Sequence, residues 1–191
     1  MGKLKQQAKI LRTFRKIHRT MGALLFVFFF VVSITALLLG WKKNSVNIIL
    51  PDTQQGISTN LDNWLPIQNL QVIAFKALQD SISKDIDLDL DRIDARPNKG
   101  VVKFVFENHY WGVQLDGESG KVLSISQRRA DFIENIHDGS ILDNAFGTNS
   151  NILKLIYTTL MSVALFTFTL TGFWLWYGPK RMRRAKRKRT S

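Results

Sequence analysis

The sequence predicts an α+β membrane protein in which two transmembrane helices bracket one small extracytoplasmic domain, a helix lying on an antiparallel β-sheet. Three observations predict it. Positive charge is gathered at the two ends of the chain, each end adjoins an uncharged stretch long enough to cross a bilayer, and the stretch between them changes from a helical to a strand period.

The charge is the first of these. The 191 residues carry a formal net charge of +12, yet residues 1–19 hold 7 Lys/Arg and no acid, and residues 180–191 hold 8 and no acid. The remainder holds 12 Lys/Arg against 15 Asp/Glu. Between Arg19 and Lys42 lie 22 uncharged residues, and between Lys154 and Lys180 lie 25. Each exceeds the roughly 20 needed to span hydrocarbon. Lys/Arg-rich flanks stay in the cytoplasm, so both termini are expected inside and the middle outside. Trp41 and Tyr157 then mark the outer interface, and Trp174, Trp176 and Tyr177 the inner one. The first span reads as an uncleaved signal anchor, because its apolar run is longer than the about 7–15 residues of a signal-peptide core and "SITALLLGWKK" offers a poor cleavage site. The expected boundaries are a basic juxtamembrane helix over 1–19, spans over 20–41 and 154–178, an extracytoplasmic domain over 42–153 and a basic tail over 179–191, with Gly178 and Pro179 ending the second helix.

In the middle, "SVNIIL" is a strand candidate and "PDTQQGISTN" a loop. Leu70, Ile73, Ala74, Ala77, Leu78 and Ile82 share one helical face. The period then becomes 2 in "DIDLDLDRID", with one slip that reads as a bulge. "GVVKFVFE", "YWGVQL" and "KVLSIS" read as further strands, and "DFIENIHDG" as a short helix ending near Gly139.

Several chemistries are excluded. The chain has no cysteine, which removes disulfides, thiolate metal sites and iron–sulfur clusters. The basic tails are membrane-orienting rather than nucleic-acid-binding, since they adjoin the spans. Neither span has an ionisable residue in its core, as an ion or proton relay would need. "DIDLDLD" lacks the glycine and closing glutamate of a calcium loop, and His109 in "ENHYWG" is a hairpin-turn residue.

The helix "AFKALQ" followed by "YWGVQLDGESGKVL" resembles a PepSY domain. "RKIHRTMGALL" is similar to the first-helix signature of the PepSY-associated transmembrane family, and "IHDGSIL" ahead of "FTLTGFWLWYGPKR" resembles its later histidine and Thr-Gly pattern. The resemblance implies a bacterial inner-membrane protein. Larger members with four or more spans include siderophore–iron reductases with two b-type haems, and two spans are about half of such a core. It therefore implies a haem b electron-transfer module, linked to ferric-siderophore reduction and iron uptake, that a homodimer or larger membrane complex completes. A non-catalytic accessory or regulator, its PepSY domain bound to a protease or transporter, is the other reading.

The candidate haem ligands are His18 and His137. Leu11, Phe14, His18, Gly22 and Leu25 share one face, so the imidazole lies on the apolar stripe with Gly22 opening space one turn along. His137 is expected at the opposite membrane face, roughly 30 Å away, so the two cannot hold one iron. A symmetric dimer would pair each with its mate. Ala36 with Gly40, Thr158 with Ser162 and Thr167 with Thr171 offer compact residues for helix contact.

Overall fold

The computed structural model describes residues 2–148 and 150–190, so Met1, Asn149 and Ser191 of the expected segments lie outside the described residues. The chain forms two compact units, Met1–Ala36 with Asn135–Ser191, and Leu37–Glu134.

The first unit is built on two long helices, α1 (Gly2–Trp41) and α5 (Ile152–Thr190). Both are long and apolar enough to cross a membrane. The predicted stripe of α1 is the face that meets α5. Leu11 packs on Gly178, the Phe14 ring lies 6.2 Å from Trp174, and Phe29 lies 5.6 Å from Phe168. On α5 the complementary face is Met161, Ala164, Thr171 and Gly178, all buried at intervals of three to seven residues. Phe26, Phe30, Phe166 and Leu160 are exposed on the remaining surface of the pair, as lipid-facing side chains are. α5 does not stop at Gly178 and Pro179 but continues through Pro179 to Thr190. Pro179 forfeits one main-chain donor, yet the Arg-, Lys-, Met- and Ala-rich stretch beyond it has high helix propensity and carries the helix on.

The second unit contains α2 (Ile67–Ser81) and four strands, β1 (Leu90–Arg96), β2 (Val101–Phe106), β3 (Trp111–Asp116) and β4 (Val122–Gln127). They form an antiparallel meander in the order β1-β2-β3-β4. The expected slip is real: the β1–β2 register shifts between Leu90 and Arg92. α2 lays Leu70, Ala74 and Leu78 on Val102, Phe104, Phe106, Val113 and Leu115, and these residues form the core. Only the second half of "DIDLDLDRID" is strand. Asp89 N–H instead donates to Asp87 Oδ1 at 3.0 Å in a turn, while Ile86 and Leu88 still pack on the core.

"SVNIIL" is not a strand. Val46 and Asn47 both have positive φ, at 48° and 66°, which no strand tolerates. Ser45 secures the turn, its Oγ donating to Lys42 O and accepting from Ile49 N–H. The segment read as a loop, "PDTQQG", is a strap across the polar face of the sheet. Gln54 N–H donates to Gln114 Oε1 at 3.0 Å, Gln114 Nε2 to Asp52 O at 2.9 Å, and Ile57 N–H to Asp116 Oδ2 at 2.5 Å. Every residue of β2 is therefore buried, on one face by α2 and on the other by the strap.

Candidate functional site

His18 sits on the stripe of α1, where its ring meets one turn of α5. It stacks on Phe168 with centroids 3.8 Å apart and planes at 25°. Gly172 also lies against the ring, where an added Cβ would be 3.3 Å from His18 Cε1. His18 Nδ1 is 2.9 Å from Thr171 Oγ1.

The threonine decides the tautomer. Thr171 Oγ1 donates to Thr167 O at 2.8 Å, with Phe168 O at 3.0 Å, which are the usual back-bonds of a threonine within a helix. A hydroxyl has one proton. With that proton committed to the main chain, Thr171 Oγ1 accepts from His18 Nδ1–H, and Nε2 is the nitrogen left unengaged.

His137, at the end of α3 (Arg129–Asp138), has the same arrangement with the roles of the long helices exchanged. Its Nδ1 is 2.8 Å from Oγ1 of Thr35 on α1, and Thr35 donates to Val31 O at 2.8 Å. The local chain fixes its position. Gly139, at φ 82°, reverses the backbone between α3 and α4 (Ser140–Phe146) and lies under the Tyr157 ring. Asp138 pairs with Lys154 Nζ at 2.5 Å and accepts from Ser140 N–H and Oγ–H. Burial works against the Asp138 carboxylate, but these bonds outweigh it and hold its pKa below the ordinary value. Asp143 ties α4 to the start of α5 by accepting from Leu153 and Lys154 N–H.

Among the described residues, Nε2 of His18 and of His137 has no hydrogen-bond partner. His109 differs. At the β2–β3 turn its Nε2 donates to Asp87 O at 2.9 Å and its Nδ1 accepts from Trp111 N–H, so both nitrogens serve the turn.

The two half-bonded histidines stand at separate levels. His18 and Thr35, the anchor of His137, are 17 residues apart on α1 (35 − 18), which places the levels about 25 Å apart. Among the described residues no three His, Cys, Asp or Glu converge as a metal-binding group. The sequence model of the PepSY-associated TM region matches residues 15–191. The chain belongs to this family. No curated protein and no solved structure matches it.

For this PepSY-associated membrane protein, haem is the cofactor to test against the residues present. The donor chemistry fits: a neutral imidazole presenting Nε2, with Nδ1–H held by an oxygen, is the form that ligates iron. The count is one such donor per level. Gly22 faces Phe168, where an added Cβ would lie 3.2 Å from Cε2, so the flat ring beside Gly22 in this structure is Phe168. Thr171, read as a helix-contact residue, is spent within the chain, whereas Gly40 has open space about it. Thr35 escaped the sequence reading altogether. The signal available was a hydroxyl, buried in this structure, within the apolar run of α1.

Proposed function

We propose that this protein is a haem-binding electron-transfer module of the bacterial inner membrane, with both termini cytoplasmic, linked to the reduction of ferric iron or a ferric siderophore. The observation that carries the reading is the pair of half-bonded imidazoles, each set in its tautomer by a threonine of another helix. Haem b, when bound, supplies a one-electron carrier whose potential follows its axial ligands and their hydrogen bonds.

The chain's own residues orient and tune. Thr171 and Thr35 keep Nδ1–H engaged, which raises the basicity of Nε2 and stops the ring from turning. Phe168 holds the plane of His18, and the apolar helix faces keep water from it. One donor per level makes the chain half of a bis-histidine site at each level, so a second copy, or a partner subunit with its own histidine, completes both. The basic tails and the apolar outer faces of α1 and α5 make the lipid bilayer the remaining partner.

The test is a spectrum. Detergent-solubilised protein is expected to show a reduced-minus-oxidised b-type signal that falls in His18→Ala and in His137→Ala and persists in His109→Ala. A colourless preparation that takes up no added haem would sink this reading and leave the accessory role, in which the PepSY-like domain binds an extracytoplasmic protein.

A further inference from the structure

The strap and the sheet enclose a second feature that the histidines do not involve. A cavity of about 330 Å³ lies between the strap and the β1–β2 turn, lined by Lys43, Arg96, Lys99 and Asn98, with Asp52 as the acid in its wall. Three cations therefore face one carboxylate. Arg96 has a partial partner outside the cavity: Asp94 lies 3.7 Å from it but is shared with Arg92 at 3.8 Å. Among the described residues Lys99 Nζ reaches only the Thr53 carbonyl, at 3.4 Å.

The wall behind the cavity adds to this charge. Lys103 is buried at 6% exposure, and its Nζ donates to Thr53 Oγ1 at 2.6 Å. Burial, and then the repulsion of Arg128, Arg96 and Lys99, lowers its pKa to about 8, with Asp94 as the one opposing charge. Arg128 is itself committed to Asp131. A buried ammonium with a hydroxyl for its partner, close to several other cations, is the mark of a positive field that the chain does not neutralise.

We propose that this cavity is a binding site for a phosphate-type anion, held by the Arg96 guanidinium as a fork and by Lys43 and Lys99 as point charges. The chemistry matches: guanidinium binds two phosphate oxygens at once, ammonium groups add charge without geometry, and Asn98 supplies a neutral donor. Its place in the chain bears on where the anion comes from. Lys43 is two residues beyond Trp41, the end of α1, and two residues reach no more than about 7 Å. That is within the depth of the headgroup layer. The phosphate of an anionic lipid and a phosphate in solution both satisfy the site, and they are separable by experiment.

The chain has no cysteine, so Gln55→Cys, in the strap but outside the cavity wall, accepts one environment-sensitive dye on the full-length protein. The labelled protein is titrated with inorganic phosphate in detergent, and compared in nanodiscs containing phosphatidylglycerol and in nanodiscs of zwitterionic lipid alone. The expected result is a saturable fluorescence change that Arg96→Gln with Lys99→Gln weakens by at least about tenfold, while Arg183→Gln with Arg184→Gln in the tail leaves it unchanged. A change with phosphatidylglycerol and none with inorganic phosphate assigns the site to a lipid headgroup, and a change with both assigns it to anions generally. No change with either, or a change indifferent to Arg96 and Lys99, overturns the proposal. Circular dichroism verifies that the double variant is folded, and Lys43→Gln, which lies outside the sheet, repeats the test if it is not.

Discussion

The helix pair and the sheet unit bury polar groups for opposite ends. Asp116, at 1% exposure in the sheet unit, accepts from Ile57, Glu118 and Ser119 N–H and from the Ser119 hydroxyl. Burial raises its pKa, but the bonds lower it further, and the net direction is downward. Its bonding capacity is filled, and its work is to hold the strap and the β3–β4 turn. His18 in the helix pair satisfies one nitrogen and leaves the other open. An imidazole with one nitrogen engaged and the other open has the form of a ligand, the role proposed above. The completeness of the hydrogen bonding, more than the burial, distinguishes the two residues.

The driving forces differ as well. Water expels the apolar face of α2 and the sheet, whereas lipid is as apolar as the helices and rewards only close fit and polar contacts. The sharpest way to break this comparison is to delete an equal ring from each side. Phe104→Ala, at full burial in the sheet core, should cost about 3–5 kcal/mol, read from denaturant unfolding of the sheet unit. Phe30→Ala, whose ring is exposed on α1, should change stability by less than about 0.5 kcal/mol. Equal losses would show that the two units are held together in the same way.

A smaller effect is expected at the histidine anchors. Thr171→Val and Thr35→Val keep the shape and remove the oxygen, so each should weaken haem binding by about 10–100-fold in an absorbance titration, with the helices intact. Unchanged affinity in both would mean that the hydroxyls do not orient the ligands.

The last effect concerns Lys103 and is one of sign. Its pKa in the folded protein, about 8, lies below the ordinary value of 10.5. Below pH 8 the lysine is protonated in both states and the fold bears the cost of the buried charge. Between about pH 8 and 10.5 the unfolded chain holds the proton that the folded chain has released, so stability rises with pH across that window. The gain should be at most about 3 kcal/mol, and Lys103→Met should abolish the slope. A melting temperature that falls with pH over this range in the wild type but not in the variant would contradict the assignment.

Much of the molecule was legible in its residues. Charge-free runs of this length require the two long helices, because a helix is the element that satisfies its main chain in lipid within a single segment. The period of Leu70, Ala74 and Leu78 and the alternation in "DIDLDLDRID" specify the helix and the start of the sheet, since one face of each must leave water. The stripe through Leu11, Phe14, His18 and Gly22 was legible as one face of α1, but that it meets α5 was not. Three features were decided by the tertiary structure alone. "SVNIIL" has strand composition but is held as a turn, its Ile49 carbonyl accepting from Ala130 N–H, which is remote in the chain. The strap has no hydrophobic pattern of its own and takes its course from Gln114, Lys103 and Asp116, which lie far along the chain. The threonine partners of the histidines are likewise 153 and 102 residues distant. A residue's type and spacing state what it can bond to, but which hydroxyl reaches which nitrogen depends on how helices remote in sequence pack, and that is settled only when the chain is folded.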